Sequence, residues 1–242
     1  MRAISIVFRR ELAAYARSPM GFIVAAIMLL VCGLLFQVLA IGEKERLSAE
    51  VLRKFFEYVG GATLITGVIL SIRLLAEERQ QHTIVLLNTS PIRDVEVVIG
   101  KFLAAFVFLC CILLLTFYMP LLIKWNGKIT FGQVLVGYLG LFLLGGATLA
   151  IGMFGSALTR NQLIAGAVSG VIVLFMVLLW RLSKIVDPPL AKVLGSLDLW
   201  YYHFSDSFMK GVFNLKDVVF YLAVIYFFLL LATKAMEAKR WQ

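Results

Sequence analysis

Charge is scarce in this chain. Of its 242 residues 15% are Asp, Glu, Lys or Arg, 62% are hydrophobic, and the mean hydropathy is +0.95. A soluble domain carries about 25% charged and roughly 45–50% apolar residues, so a water-soluble globule, which could not hide this much apolar surface, is excluded. Cysteine numbers three and histidine two, with no Cys-x-x-Cys pair and no Cys/His cluster, so no metal or redox motif is written in the chain. Cys32, Cys110 and Cys111 all fall in apolar runs and read as small packing residues. Also missing is any Gly-x-x-x-x-Gly-Lys-Ser/Thr loop, which removes the usual means of cradling nucleotide phosphates. No ionisable residue lies near the centre of an apolar run, where ion-coupled transporters and intramembrane enzymes keep such groups. Gln37, Thr66 and Thr116 leave some polar character there. The sequence therefore predicts no catalytic residues and no cofactor on the chain itself.

Long uncharged runs are what the chain has in quantity. Crossing a hydrocarbon core roughly 30 Å thick takes about 20 apolar residues at about 1.5 Å each. Six runs qualify: Met20–Gly42, Phe55–Leu75, Phe102–Ile123, Phe131–Leu158, Leu163–Trp180 and Val218–Ala232. Within them only Glu57 and Arg73, near the two ends of the second, carry charge. Lipid offers the backbone no partners, and uninterrupted runs exclude an alternating barrel pattern. The expected fold class is an all-α integral membrane protein, one transmembrane domain over 1–242. The first run follows basic residues as a signal peptide would, but it is too long for a signal core and ends in a poor cleavage site, so it is expected to be retained. All four tryptophans, Trp125, Trp180, Trp200 and Trp241, fall at or beyond run ends, as an interfacial belt requires.

The segments between runs carry the information about function. Residues 1–18 form a candidate interfacial helix: Ile4, Val7, Phe8, Leu12 and Tyr15 share one face and Arg2, Arg9, Arg10 and Arg17 the remainder, with Ser18-Pro19 ending it. Glu11 projects from the apolar face, either as a carboxylate snorkelling to the headgroups or as a buried partner of an arginine such as Arg73 or Arg79. Residues 77–100 are expected to form an elbow of two short helices. The first would cover Glu77, Glu78, Arg79, Gln80, Gln81, His82, Thr83 and Leu86, and the second would be capped by Ser90-Pro91 with Asp94 and Glu96 at its positive end. Ile84 to Leu87 are apolar for a loop of this kind and suggest a docking surface. Segment 183–216, with Pro188-Pro189 and the run Trp200 to Phe204, is expected to fold as interfacial or re-entrant helices on the outer face, with His203 an interface residue rather than a ligand. Small residues recur every fourth position at Thr63, Gly67 and Ser71, at Thr148, Gly152 and Ser156, and at Gly166 and Gly170, a spacing that lets helices approach closely.

The net charge of +9 is no sign of nucleic acid here, because the basic residues sit between runs and face headgroups. Lys and Arg divide twelve to eleven between the two sides, which decides no orientation.

Taken together, these stretches resemble the permeases of type-2 ABC exporters (ABC-2 type). Glu77 to Ile84, Thr89-Ser90-Pro91, Gly100 to Leu103, Leu158 to Gln162, His203-Phe204 and Lys210 to Asp217 are similar to the gliding-motility-associated permease group and the related copper-site maturation permeases. The resemblance implies a multi-pass protein of the inner (cytoplasmic) membrane with both termini cytoplasmic, and with Glu77 to Leu87 as a coupling helix seated in a separate ATPase dimer that holds ATP and Mg. A second permease copy or a sister permease would face this one. Membrane lipids and an outer or periplasmic protein are further expected partners, and export or surface motility the expected role. A different class of function remains beside it: a non-conducting membrane anchor that passes ATP-driven motion to an outer protein.

Overall fold

The computed structural model describes residues 2–41, 47–80 and 92–240. The helices are α1 (Arg2–Arg17), α2 (Pro19–Leu35), α3 (Ser48–Gln80), α4 (Asp94–Leu115), α5 (Tyr118–Asn126), α6 (Phe131–Leu158), α7 (Gln162–Ser183), α8 (Leu190–Ser196) and α9 (Leu215–Arg240). A π-helical turn at Phe36–Ile41 continues α2, and short turns at Tyr201–Ser205 and Phe208–Lys210 lie between α8 and α9. No strand occurs among the described residues. Six stretches are long and apolar enough to span a membrane, Pro19–Val38, Ser48–Gln80, Asp94–Trp125, Phe131–Leu158, Gln162–Ser183 and Leu215–Lys239, one for each expected run.

Helix and apolar run do not share boundaries. The second run covers Phe55–Leu75, yet α3 has 33 residues and is about 50 Å long, well beyond the hydrocarbon thickness. Glu, Lys, Arg and Gln are good helix formers, so the helix continues into water after hydrophobicity stops. The third run is expected as one helix, and the structure breaks it at Thr116-Phe117, between α4 and α5. Pro120 is the cause: it has no N–H for the Thr116 carbonyl four residues back. Thr116 turns its hydroxyl to the Leu113 carbonyl at 2.7 Å and to the Tyr138 hydroxyl at 2.9 Å.

The expected first elbow helix is not separate, since Glu77, Glu78, Arg79 and Gln80 form the last turn of α3. Its continuation, Gln81, His82, Thr83 and Leu86, lies outside the described residues, as do Ser90, Pro91 and Trp241. On the other side α4 starts at Asp94 with Arg93 as N-cap, and the Glu96 carboxylate accepts the Arg93 N–H at 3.2 Å.

Helix α6 is the centre of the bundle, packed against α3, α9 and α7. Two of the small-residue stripes interlock here. A Cβ on Gly67 would meet Thr148 at 3.0 Å, one on Gly145 the Thr63 methyl at 3.1 Å, and one on Gly152 the Ser71 hydroxyl at 1.7 Å. Gly166 packs on Ile72, but a Cβ on Gly170 would meet nothing within 4 Å, so that residue is no packing contact within the chain.

Outer segment 183–216 inserts rather than lying flat. Phe204 and Phe208 are fully buried, and the space for them comes from Gly60 of α3 and Gly140 of α6, where a Cβ would approach their rings to 2.7 and 2.6 Å.

Candidate functional site

The two termini share one end of the bundle, where α1, the last turn of α3, the start of α4, the end of α6 and the end of α9 converge. Amphipathic α1 lies on α4 with Val7 buried, while Arg9, Arg10 and Arg17 stay exposed. The close approach depends on Gly100 of α4, where a Cβ would come within 2.9 Å of Val7.

That approach closes a ring of four charges. Lys101 Nζ donates to Glu11 Oε1 at 3.0 Å and pairs with Glu78 Oε1 at 2.9 Å; Arg10 Nη2 pairs with the same two carboxylates at 2.7 and 3.0 Å. The Lys101 side chain is 2% exposed, those of Glu11 and Glu78 17% and 13%. An ammonium at such depth is tolerable only with its partners in place. Burial pushes the Glu11 carboxyl up, but Lys101 and Arg10 together outweigh it and hold the group below the ordinary carboxylate range. A depressed value means the stabilisation is present above the usual carboxylate pKa and is lost as pH falls through the depressed one.

Of the alternatives open for Glu11, the buried pair is the one formed, with a different partner from those expected. Arg73 is held instead by Glu77 one turn on, in a two-pronged pair at 2.8 and 2.9 Å. Arg79 is not paired with Glu11 either: it turns to the end of α6 and donates to the Ala157 carbonyl at 2.5 Å. Gln80 is exposed, and Arg9 takes no part in the ring.

Just before Glu77, α6 reaches into α3. The Ser156 hydroxyl donates to the Ile72 carbonyl at 3.0 Å and accepts the Ala76 N–H at 2.8 Å and the Leu75 N–H at 3.1 Å. Ile72 and Ala76 are the carbonyl and amide that an α-helix pairs, so the hydroxyl adds a contact to one rung of a helix that runs on unbroken. Sequence spacing picks out Ser156 as a small packing residue and misses this bond. Lys101 it counts only as a charge between the elbow and the third run, where the structure has a single helix, α4, from Asp94 to Leu115. A lone lysine flanked by Gly100 and Phe102 inside an apolar stretch is the signal that points to buried partners.

The opposite end has its own polar cluster. Buried His203 places Nδ1 2.7 Å from Asp217 Oδ1 and Nε2 3.2 Å from the Ser196 carbonyl, with its ring stacked on Phe220 at 3.8 Å. Asp198 accepts the Tyr202 N–H at 2.9 Å, and burial pushes its carboxyl up against that bond. The Tyr221 hydroxyl donates to the Leu199 carbonyl at 2.7 Å. These contacts tie α9 to the outer segment beside an open cleft of about 590 Å³ bordered by Lys192, Tyr202 and Lys216. Asp217→Asn is expected to cost about 1.5–3 kcal/mol, the value of a hydrogen bond to a charged group, read as a lower unfolding midpoint in detergent. An unchanged midpoint would mean that the pair adds nothing net.

No three or more of His, Cys, Asp and Glu gather as metal ligands among the described residues. The architecture is that of a multi-pass membrane bundle with a charged, multi-helix junction at one end. A family model described as ABC-2 family transporter protein matches residues 6–195. The chain belongs to that family and is a membrane permease subunit of an ABC transporter. Among curated proteins none matches the chain.

Proposed function

We propose that this permease is driven from outside the bilayer, by a separate ATPase subunit that docks on the segment around residues 81–91 and carries the ATP and Mg. The observation that supports this most is the four-charge ring. Segment 81–91 joins the end of α3, which carries Glu78, to α4, which carries Lys101, and both residues are bonded to α1. A push on the segment is thereby delivered to three helices as one body. In this reading both termini are cytoplasmic, the membrane is the inner one, a second permease copy or sister subunit faces this one, and the transport is export. The resemblance to the gliding-motility group is the ground for proposing surface material as cargo.

Two experiments test it. A cysteine at Thr83 (T83C), with the native cysteines replaced, should react with a membrane-impermeant thiol reagent in inside-out vesicles and not in intact cells. Labelling from outside would overturn the orientation. In the complex with its ATPase, Glu78→Gln should leave ATP hydrolysis within about twofold while reducing by about tenfold the fraction of complexes that show the ATP-driven distance change between spin labels on the far end, a loss of roughly 1.4 kcal/mol of coupling. If hydrolysis and movement stay in proportion, the ring is not the coupling element.

A further inference from the structure

Three cations crowd the C-terminal end of α6, and among the described residues no carboxylate answers them. Arg79 donates to the Ala157 carbonyl at 2.5 Å, Lys239 donates to the Ala157 and Leu158 carbonyls at 3.2 and 2.6 Å, and Arg160 follows α6 closely enough to repel both. Among the described residues none of the three forms an ion pair. Segment 81–91, which continues from Arg79, contains no Asp or Glu to supply one.

The end of a helix offers about half an elementary negative charge, which leaves most of three positive charges unbalanced. Cations held together in this way, Arg79 and Lys239 half-buried and Arg160 exposed beside them, call for an anion. What borders the cluster decides which kind. Leu158, Leu163 and Ile164, next to Arg160 in the chain, are 42%, 83% and 54% exposed. Three spans end here, so the cations stand at headgroup level with an open apolar wall beside them. A lipid has this arrangement of charge over hydrocarbon, and basic pockets between spanning helices are known to take anionic headgroups.

We propose that Arg79, Arg160 and Lys239 form a binding site for the phosphate of an anionic lipid headgroup, whose acyl chains lie along Leu158, Leu163 and Ile164. The site stands independently of any ATPase, joins α3 to α6 and α9, and lies at the base of segment 81–91, so its occupant braces that junction.

Native mass spectrometry of the purified protein in detergent tests this with three probes: phosphatidylglycerol, phosphatidylcholine and inorganic phosphate. Phosphatidylglycerol should bind selectively and raise the unfolding midpoint. The double variant R160Q/K239Q should bind it about fivefold more weakly for each cation removed, while K210Q, at the other end of the bundle, should bind it as the parent does. Should the double variant not accumulate, R160Q alone gives the same answer, since Arg160 is exposed and carries no packing. Equal binding of phosphatidylcholine, or undiminished binding of phosphatidylglycerol by the R160Q and R160Q/K239Q variants, overturns the site. If millimolar inorganic phosphate displaces the lipid and raises the midpoint equally, the site takes free phosphate and the lipid assignment is wrong.

Discussion

Replacing Lys101 with methionine is expected to destabilise the detergent-solubilised protein by about 3–5 kcal/mol, because removing one member of a buried ion network leaves its partners charged and unanswered. Here the deserted partners are Glu11 and Glu78, which share the Lys101 ammonium at 3.0 and 2.9 Å. Arg10 remains but is itself half exposed, and one exposed guanidinium cannot neutralise two carboxylates. Thermal unfolding followed by circular dichroism measures the loss. The informative control is the triple variant E11Q/E78Q/K101M, which removes every charge of the ring but half-exposed Arg10 and should recover at least half of it. Network members are non-additive, so a triple variant as poor as the sum of the singles would mean that the three residues act separately. A midpoint unchanged in K101M would show that water reaches the ammonium in solution.

Gly152→Leu is expected to prevent accumulation in the membrane, whereas Gly170→Leu should accumulate as the parent does. Both glycines belong to stripes of equal appearance in the sequence, but the first Cβ at 152 would stand 1.7 Å from the Ser71 hydroxyl and 2.4 Å from its Cβ, and at 170 there is open space. Overpacking typically costs about 1–3 kcal/mol when neighbours can give way, and two helix backbones at close range can give little. Membrane-fraction immunoblotting and size-exclusion profiles measure the outcome. Normal accumulation of G152L would mean that α3 and α6 do not meet along this line.

The contrast between these two glycines shows how far the chain can be read without coordinates. Six spans are legible because a bilayer selects on length and composition, which are local properties. The amphipathic helix 2–17 is legible for the same reason, and its end at Ser18-Pro19 rests on capping chemistry that needs no tertiary contact. Partner choice is another matter. Which stripe meets which, and whether a stripe is used inside the chain at all, depends on how helices far apart in sequence are rotated.

The charged ring shows the same limit. Glu11 is conspicuous as a carboxylate on an apolar face, but the residue that answers it lies 90 positions away. Arg73 and Arg79 were equally plausible by charge. One was already occupied by Glu77 at the next turn, and the other by a backbone carbonyl, an acceptor that no charge count reveals. Helix ends mislead in a related way: the expected short elbow helix and the third run are one continuous α4, and Lys101 sits at the join.

The hydroxyl that α6 lends to α3 is one of two anchors near the end of that helix. Beyond Ala76 the helix continues unbroken to Gln80, so the turn that carries Glu77 and Glu78 is held twice, by Ser156 of α6 on one flank and by Arg10 and Lys101 on the other. A shift at the end of α6 is thereby felt at the start of α4 through a third helix. The last turn of α3 serves as a shared beam between them.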